Sequence, residues 1–145
     1  MNKIYTDYER IHTDIRGNRP PLRYGEVTYK VRGALFEVYN TLGSGHKEQV
    51  YQKALEKEFE ERKIPYKKEE NLDVNYKRKR VGNYRPDLVV EDKLIIELKA
   101  VEFMPKSYEE QLIHYLKTTG FPIGLLVNFG GARLIIKRFL WTQDQ

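Results

Sequence analysis

The chain has 145 residues, a formal net charge of +5, 40% hydrophobic residues and 12% aromatic ones. That length and apolar content suit one folded domain and exclude a disordered chain. Cysteine is absent, which excludes a disulfide framework and a thiolate metal centre, and fits a reducing compartment.

Residues 1–24 are polar, with Arg10, Arg16, Arg19 and Arg23 spread among them, and Asn18-Arg19-Pro20-Pro21 breaks any helix. They read as an arm, or a short helix plus linker, rather than a separate domain. Partial disorder, docking on the body and docking on a second subunit, as in a homodimer, are all open. No apolar stretch follows a basic start, so no signal peptide is expected. No apolar run approaches membrane-spanning length, so no membrane partner is expected either. The expected setting is cytoplasmic. Residues 25–145 then read as the single domain.

From Glu26 to Leu42 the pattern is helical. Val27, Val31, Ala34, Leu35, Val38 and Leu42 form one apolar face, and Gly43 and Gly45 stop it. A second helix is expected over about residues 47–62, with Val50, Tyr51, Ala54, Leu55 and Phe59 as its stripe and Ile64-Pro65 as its end. Glu48 falls in its first turn, where the helix dipole favours a carboxylate whatever else it does.

Residues 66–76 then read as a strand, with Leu72, Val74 and Tyr76 alternating against Asp73 and Asn75. Lys77-Arg78-Lys79-Arg80 is a basic turn, either a solvated hairpin tip or a phosphate-contacting loop. Residues 81–84 lead back into the sheet.

Two apolar runs around Glu91-Asp92-Lys93 read as a β-hairpin. A turn centred on Asp92 sets Val90 opposite Leu94 and Asp87 opposite Glu97. Facing carboxylates on an antiparallel pair repel at about 5 Å, and need a cation or water between them. Lys99 shares the face of Glu97. Two acids with a lysine beside them suit divalent-metal and phosphate chemistry. The plainer reading is a solvated strand end, since a Glu-x-Lys is common in a chain that is 32% charged.

A third helix opens at Pro105-Lys106-Ser107, where Ser107 and Glu110 have the spacing of a capping box. Tyr108, Leu112, Tyr115 and Leu116 make its stripe, Gln111 and Tyr115 share a face, and Gly120 closes it. Residues 122–128 and 132–140 read as two last strands around Phe129-Gly130-Gly131. The order α-α-β-β-β-α-β-β predicts an α/β fold with a mixed sheet flanked by helices.

The run Gly45-His46-Lys47-Glu48-Gln49-Val50-Tyr51 reads G-x-x-E-x-x-Y. Pro86-Asp87, Glu97-x-Lys99 and Gln111-x-x-x-Tyr115 follow in order. Together they resemble the GxxExxY family of the PD-(D/E)XK nuclease superfamily, with its RecB-like Q-x-x-x-Y helix. The Asn128-Phe129-Gly130 turn also resembles that family. The resemblance implies a restriction-endonuclease-like core and a Mg²⁺- or Mn²⁺-dependent nuclease, acting on DNA before RNA. In it Asp87 and Glu97 would bind the metal, with Glu48 and the carbonyl of Leu98 completing the site. Lys99 would orient water or stabilise developing charge. Gln111 and Tyr115 would line the site. Tyr51 reads as core, Tyr115 as core or site, and His46 and His114 as bystanders, because no zinc-ligand spacing accompanies them. The competing readings are a nuclease-fold module that binds nucleic acid or a protein without cutting, and a structural oligomer.

Overall fold

The computed structural model describes residues 3–7 and 24–142. The elements in chain order are β1 (Lys3–Asp7), α1 (Gly25–Leu42), α2 (Glu48–Glu61), β2 (Tyr66–Lys68), β3 (Leu72–Tyr76) and β4 (Lys79–Tyr84). They continue with β5 (Leu88–Val90), β6 (Leu94–Lys99), α3 (Lys106–Thr119), β7 (Ile123–Asn128) and β8 (Ile135–Thr142). The main sheet runs β1-β8-β7-β6-β5-β2. Its β6–β7 pair is parallel, and every other pair in it is antiparallel. The expected mixed sheet and three helices are therefore present, with more strands than expected.

The segment expected as one strand over residues 66–76 is broken. Glu69 takes φ 50, and the chain turns there. β2 pairs with β5 in the main sheet, while β3 leaves to form a separate two-stranded sheet with β4. Residues 3–7 of the expected arm pair with β8 as an edge strand. The remaining arm residues, with Arg10, Arg16, Arg19 and Arg23, lie outside the described residues.

Strand alternation sorts the sheet into two faces. Leu88, Val90, Leu94, Ile96 and Leu98 pack against Val31, Leu35, Tyr51, Leu55 and Phe59 of α1 and α2. Val89, Ile95 and Leu126 pack with Leu112 and Leu116 of α3 and with Leu72 and Tyr84 of the small sheet. β7 is buried along its whole length, which explains its unbroken apolar sequence.

The helix ends follow the glycines. Gly43 (φ 68) closes α1, and Gly120 (φ 79) closes α3. Two local expectations are corrected. Ser107 and Glu110 form no capping box: Pro105, with φ −65, is the N-cap of α3, so Ser107 lies already inside the helix and makes no cap hydrogen bond. Val50 is exposed and not part of the α2 stripe, whose buried residues are Tyr51, Leu55 and Phe59.

The turn after β7 ties that strand to the end of β6. Asn128, fully buried, accepts the N–H groups of Val101 and Gly130 on Oδ1 at 3.0 Å each, and donates Nδ2 to Val101 C=O at 2.9 Å. A Cβ on Gly130 would overlap the main chain of Ala100 and Val101. Gly130→Ala is therefore expected to cost about 3 kcal/mol through forced backbone displacement, read as a lowered midpoint in urea unfolding.

Candidate active site

The site is built at the open end of the β5–β6 hairpin. The two strands pair through Val90↔Leu94, Val89↔Ile95 and Leu88↔Ile96, which is the expected register. Glu91 and Asp92 take φ 52 and 53, and Lys93 N–H closes on Val90 C=O. Continuing the register one step sets Asp87 opposite Glu97, where the ladder stops. The buried Pro86 has no N–H to offer a ladder and restricts the chain before Asp87. The Asp87 side chain takes the ladder's place: its Oδ2 accepts Leu98 N–H at 2.8 Å. The Asp87 carbonyl accepts Glu69 N–H at 3.3 Å and Gln52 Nε2 at 3.5 Å. Asp87 is thus held from β6, from the β2–β3 connection and from α2.

Glu97 and Lys99 alternate with Ile96 and Leu98 on β6, so that both lie on the α3 face with Ile95. Glu97 Oε1 accepts the hydroxyl of Tyr84, the last residue of β4. Tyr84 stacks on Tyr115 of α3 with centroids 3.5 Å apart and planes 5° from parallel. Lys99 Nζ stands 4.2 Å from the Tyr108 ring centre, a cation–π contact. It forms no contact ion pair among the described residues.

Electrostatics bind these groups into one unit. Burial, and then the Asp87 charge, push the Glu97 carboxyl up to about 7, against the pull of the Tyr84 hydroxyl and Lys99. Burial raises Asp87 too, opposed by the Leu98 N–H and by Lys99. Glu48 is raised by burial and then by Asp87, although its helix N-terminus would by itself favour the charged form. Glu48 is therefore near enough to Asp87 for the two to repel. Lys99 eases the charge on all three acids. Burial and Glu97 raise the Tyr84 phenol well above its ordinary range, so it stays a donor to Glu97.

The shift of Glu97 gives a stability prediction. Between its ordinary value of 4.5 and about 7 the folded chain holds a proton that the unfolded chain has released. Stability therefore falls as pH rises through that window, and the full cost above it is about 3 kcal/mol. Glu97→Gln keeps an acceptor for Tyr84 and removes the charge. In chelator, it is expected to unfold at a higher temperature than the parent at pH 8, with the gap closing towards pH 4.

The donor set fits a hard divalent ion. Phe129 N–H takes Lys99 C=O towards β7, so strand alternation turns the Leu98 polar groups towards Asp87. The Leu98 carbonyl then joins two carboxylates on one side of β6. No three Asp, Glu or His side chains stand together in a metal-holding group among the described residues. Mg²⁺ needs no such cage, since it keeps waters and uses one or two carboxylates with substrate oxygens.

The expected residues thus separate. Asp87, Glu97 and Lys99 come together with Glu48 beside them. Tyr115 is half-buried and reaches Glu97 through Tyr84. Gln111 is exposed on the flank of α3 between Tyr108 and Tyr115, and its side chain makes no hydrogen bond among the described residues. Tyr51 is fully buried, donates to Gly43 C=O at 2.6 Å, accepts His46 N–H at 3.2 Å and stacks on Phe129 at 4.2 Å. It pins the loop that delivers Glu48. Sequence reasoning missed Tyr84 and Tyr108 as site residues. Tyr108 was readable only as stripe, and nothing local marks Tyr84.

A mixed sheet carrying paired acids and a lysine at a hairpin end defines a nuclease-like α/β protein. A model of the PD-(D/E)XK nuclease superfamily matches residues 25–139, and the chain belongs to that superfamily. No curated protein and no solved structure matches it. Membership points to nuclease activity, and nucleases of this superfamily generally use divalent metal ions. No helix among the described residues is long and apolar enough to cross a membrane.

Proposed function

We propose that this chain is a divalent-metal-dependent nuclease of the GxxExxY type that hydrolyses phosphodiester bonds in DNA, in the cytoplasm. The observation that carries the reading is the end of the β5–β6 hairpin, where the register sets Asp87, held by Leu98 N–H at 2.8 Å, opposite Glu97, with Lys99 on the same face of β6. Asp87, Glu97 and the Leu98 carbonyl would hold Mg²⁺ or Mn²⁺, with Glu48 at the rim. When bound, the ion supplies Lewis-acid polarisation of the phosphate and a more acidic water.

The protein's own groups do the rest. Tyr84 fixes one oxygen of Glu97, and the Tyr84–Tyr115 stack fixes Tyr84. Leu98 N–H fixes one oxygen of Asp87. Lys99, held by the Tyr108 face, is placed to orient the attacking water and to meet charge building on the phosphate oxygens. Gln111 touches substrate from the exposed flank.

The test is cleavage of labelled single- and double-stranded DNA, with RNA alongside, in Mg²⁺ and in Mn²⁺. DNA products that vanish with chelator are the expected result. The second reading is a non-cleaving nucleic-acid-binding module, favoured by the basic turn at Lys77-Arg78-Lys79, which meets phosphates without any use of the acids. DNA binding without products in either metal would select it.

A further inference from the structure

The β3–β4 hairpin stands off the main sheet, and only its base, Tyr84, serves the site. Its inner face can be followed outward. Leu72 pairs with Tyr84, Val74 with Gly82 and Tyr76 with Lys79, and paired residues share a face. Leu72 is 8% exposed, Val74 half-buried and Tyr76 60% exposed. The inner face therefore emerges from the body towards the tip. From Tyr84 to Lys79 it runs about 17 Å at strand spacing. Gly82 lies midway, and a Cβ there would meet nothing within 4 Å, so the face is open between the acids and the tip.

The tip is built against local preference. Lys77 and Arg78 form a two-residue turn at φ 47 and 67, where Asn-Gly is the comfortable pair. Folding gains nothing from two long cations at left-handed positions; a polyanion does. Arg80 is paired with Asp73 at 3.1 Å on the outer face. Lys77, Arg78 and Lys79 have no acidic partner among the described residues, and Lys77 Nζ stands 5.4 Å from the Tyr76 ring. The pairing jumps from Val74↔Gly82 to Asn75↔Arg80. Val81 is thus the extra residue of a β-bulge, 59% exposed, and such a bulge twists and re-aims the strand end.

We infer that the inner face of this hairpin seats a single-stranded segment of the nucleic-acid substrate. Tyr76 stacks on a base, while Lys77, Arg78 and Lys79 take phosphates, and the strand passes over Gly82 to the acids. The inference rests on the nuclease reading for the nature of the polymer. Single strand is chosen over duplex because an exposed aromatic beside cations is a stacking platform, whereas bases in a duplex already stack on each other.

The test is fluorescence anisotropy of the full chain in chelator, with a labelled single-stranded oligodeoxynucleotide and the matching duplex. Lys77→Asn with Arg78→Gly installs the preferred turn pair and removes two cations. That double variant is expected to melt higher than the parent, yet bind the single strand about tenfold more weakly. Its log–log salt slope should be shallower by about 1.4, as two phosphate contacts are lost. Tyr76→Ala is expected to weaken single-strand binding about tenfold at unchanged slope, and to leave weaker duplex binding as it was. Any of three results overturns the inference: no single-strand binding by the parent, parental affinity and slope in the double variant, or duplex bound as tightly with Tyr76 irrelevant. Hairpin-dependent binding without cleavage in metal would leave the inference standing and remove the nuclease reading. Cleavage with both variants binding like the parent would do the reverse.

Discussion

Lys99→Met is expected to lower cleavage about a hundredfold or more, the size of losing one well-placed electrostatic donor, while the fold and DNA affinity persist. The methionine keeps the length of the stem, and its sulfur can rest on Tyr108 in place of the ammonium. Packing at the end of β6 should therefore survive. What disappears is the single positive charge that eases Glu48, Asp87 and Glu97. Divalent metal should bind at least as tightly, since a neighbouring cation is gone. The measurement is single-turnover cleavage in Mn²⁺ beside calorimetric metal titration on the same preparation. Cleavage at the parental rate would reduce Lys99 to a structural counter-charge and take away one of the residues on which the nuclease reading stands.

Asp87→Asn should abolish both cleavage and the response of stability to metal. A ligand that binds only the folded chain, at a hundred times its Kd, stabilises by about 2.7 kcal/mol. For a chain of this length that is a rise of about 8 °C in Tm, expected for the parent in Mg²⁺ or Mn²⁺. The amide oxygen of the introduced asparagine would still accept Leu98 N–H, so the β5–β6 junction should hold. Burial disfavours the Asp87 charge, and its removal also relieves Glu97 and Glu48. At pH 8 in chelator the variant should therefore melt at or above the parental temperature. An undiminished rise with metal in this variant would move the metal site elsewhere.

The order of the motifs and the register of the hairpin were legible in the chain itself. Apolar alternation on both sides of Glu91-Asp92-Lys93 leaves one pairing that buries Val90 with Leu94 and Leu88 with Ile96, and that pairing carries Asp87 to Glu97. Tyr51 was legible as core because it repeats with Leu55 and Phe59. The Ser107–Glu110 spacing misled, since a spacing does not say which residue begins a helix; Pro105 did. The strand expected over residues 66–76 misled as well, because its alternation is real on both sides of a break that turns on the single dihedral of Glu69.

Periodicity reports which face of an element is apolar, and so sequence alone determined the three helices, the β5–β6 hairpin with its buried faces and the placing of Asp87, Glu97 and Lys99 on one side of it. It carries no information on which distant side chain meets that face. Only the packing of β4 and α3 over the end of β6 decided that Tyr84 holds Glu97, that Tyr115 holds Tyr84 and that Tyr108 carries Lys99. It likewise decided that Lys3–Asp7 completes the sheet edge and that the basic hairpin leaves the main sheet with only its base, Tyr84, on Glu97. Those contacts join elements far apart in the chain, and they form where two surfaces meet rather than where two residues are spaced.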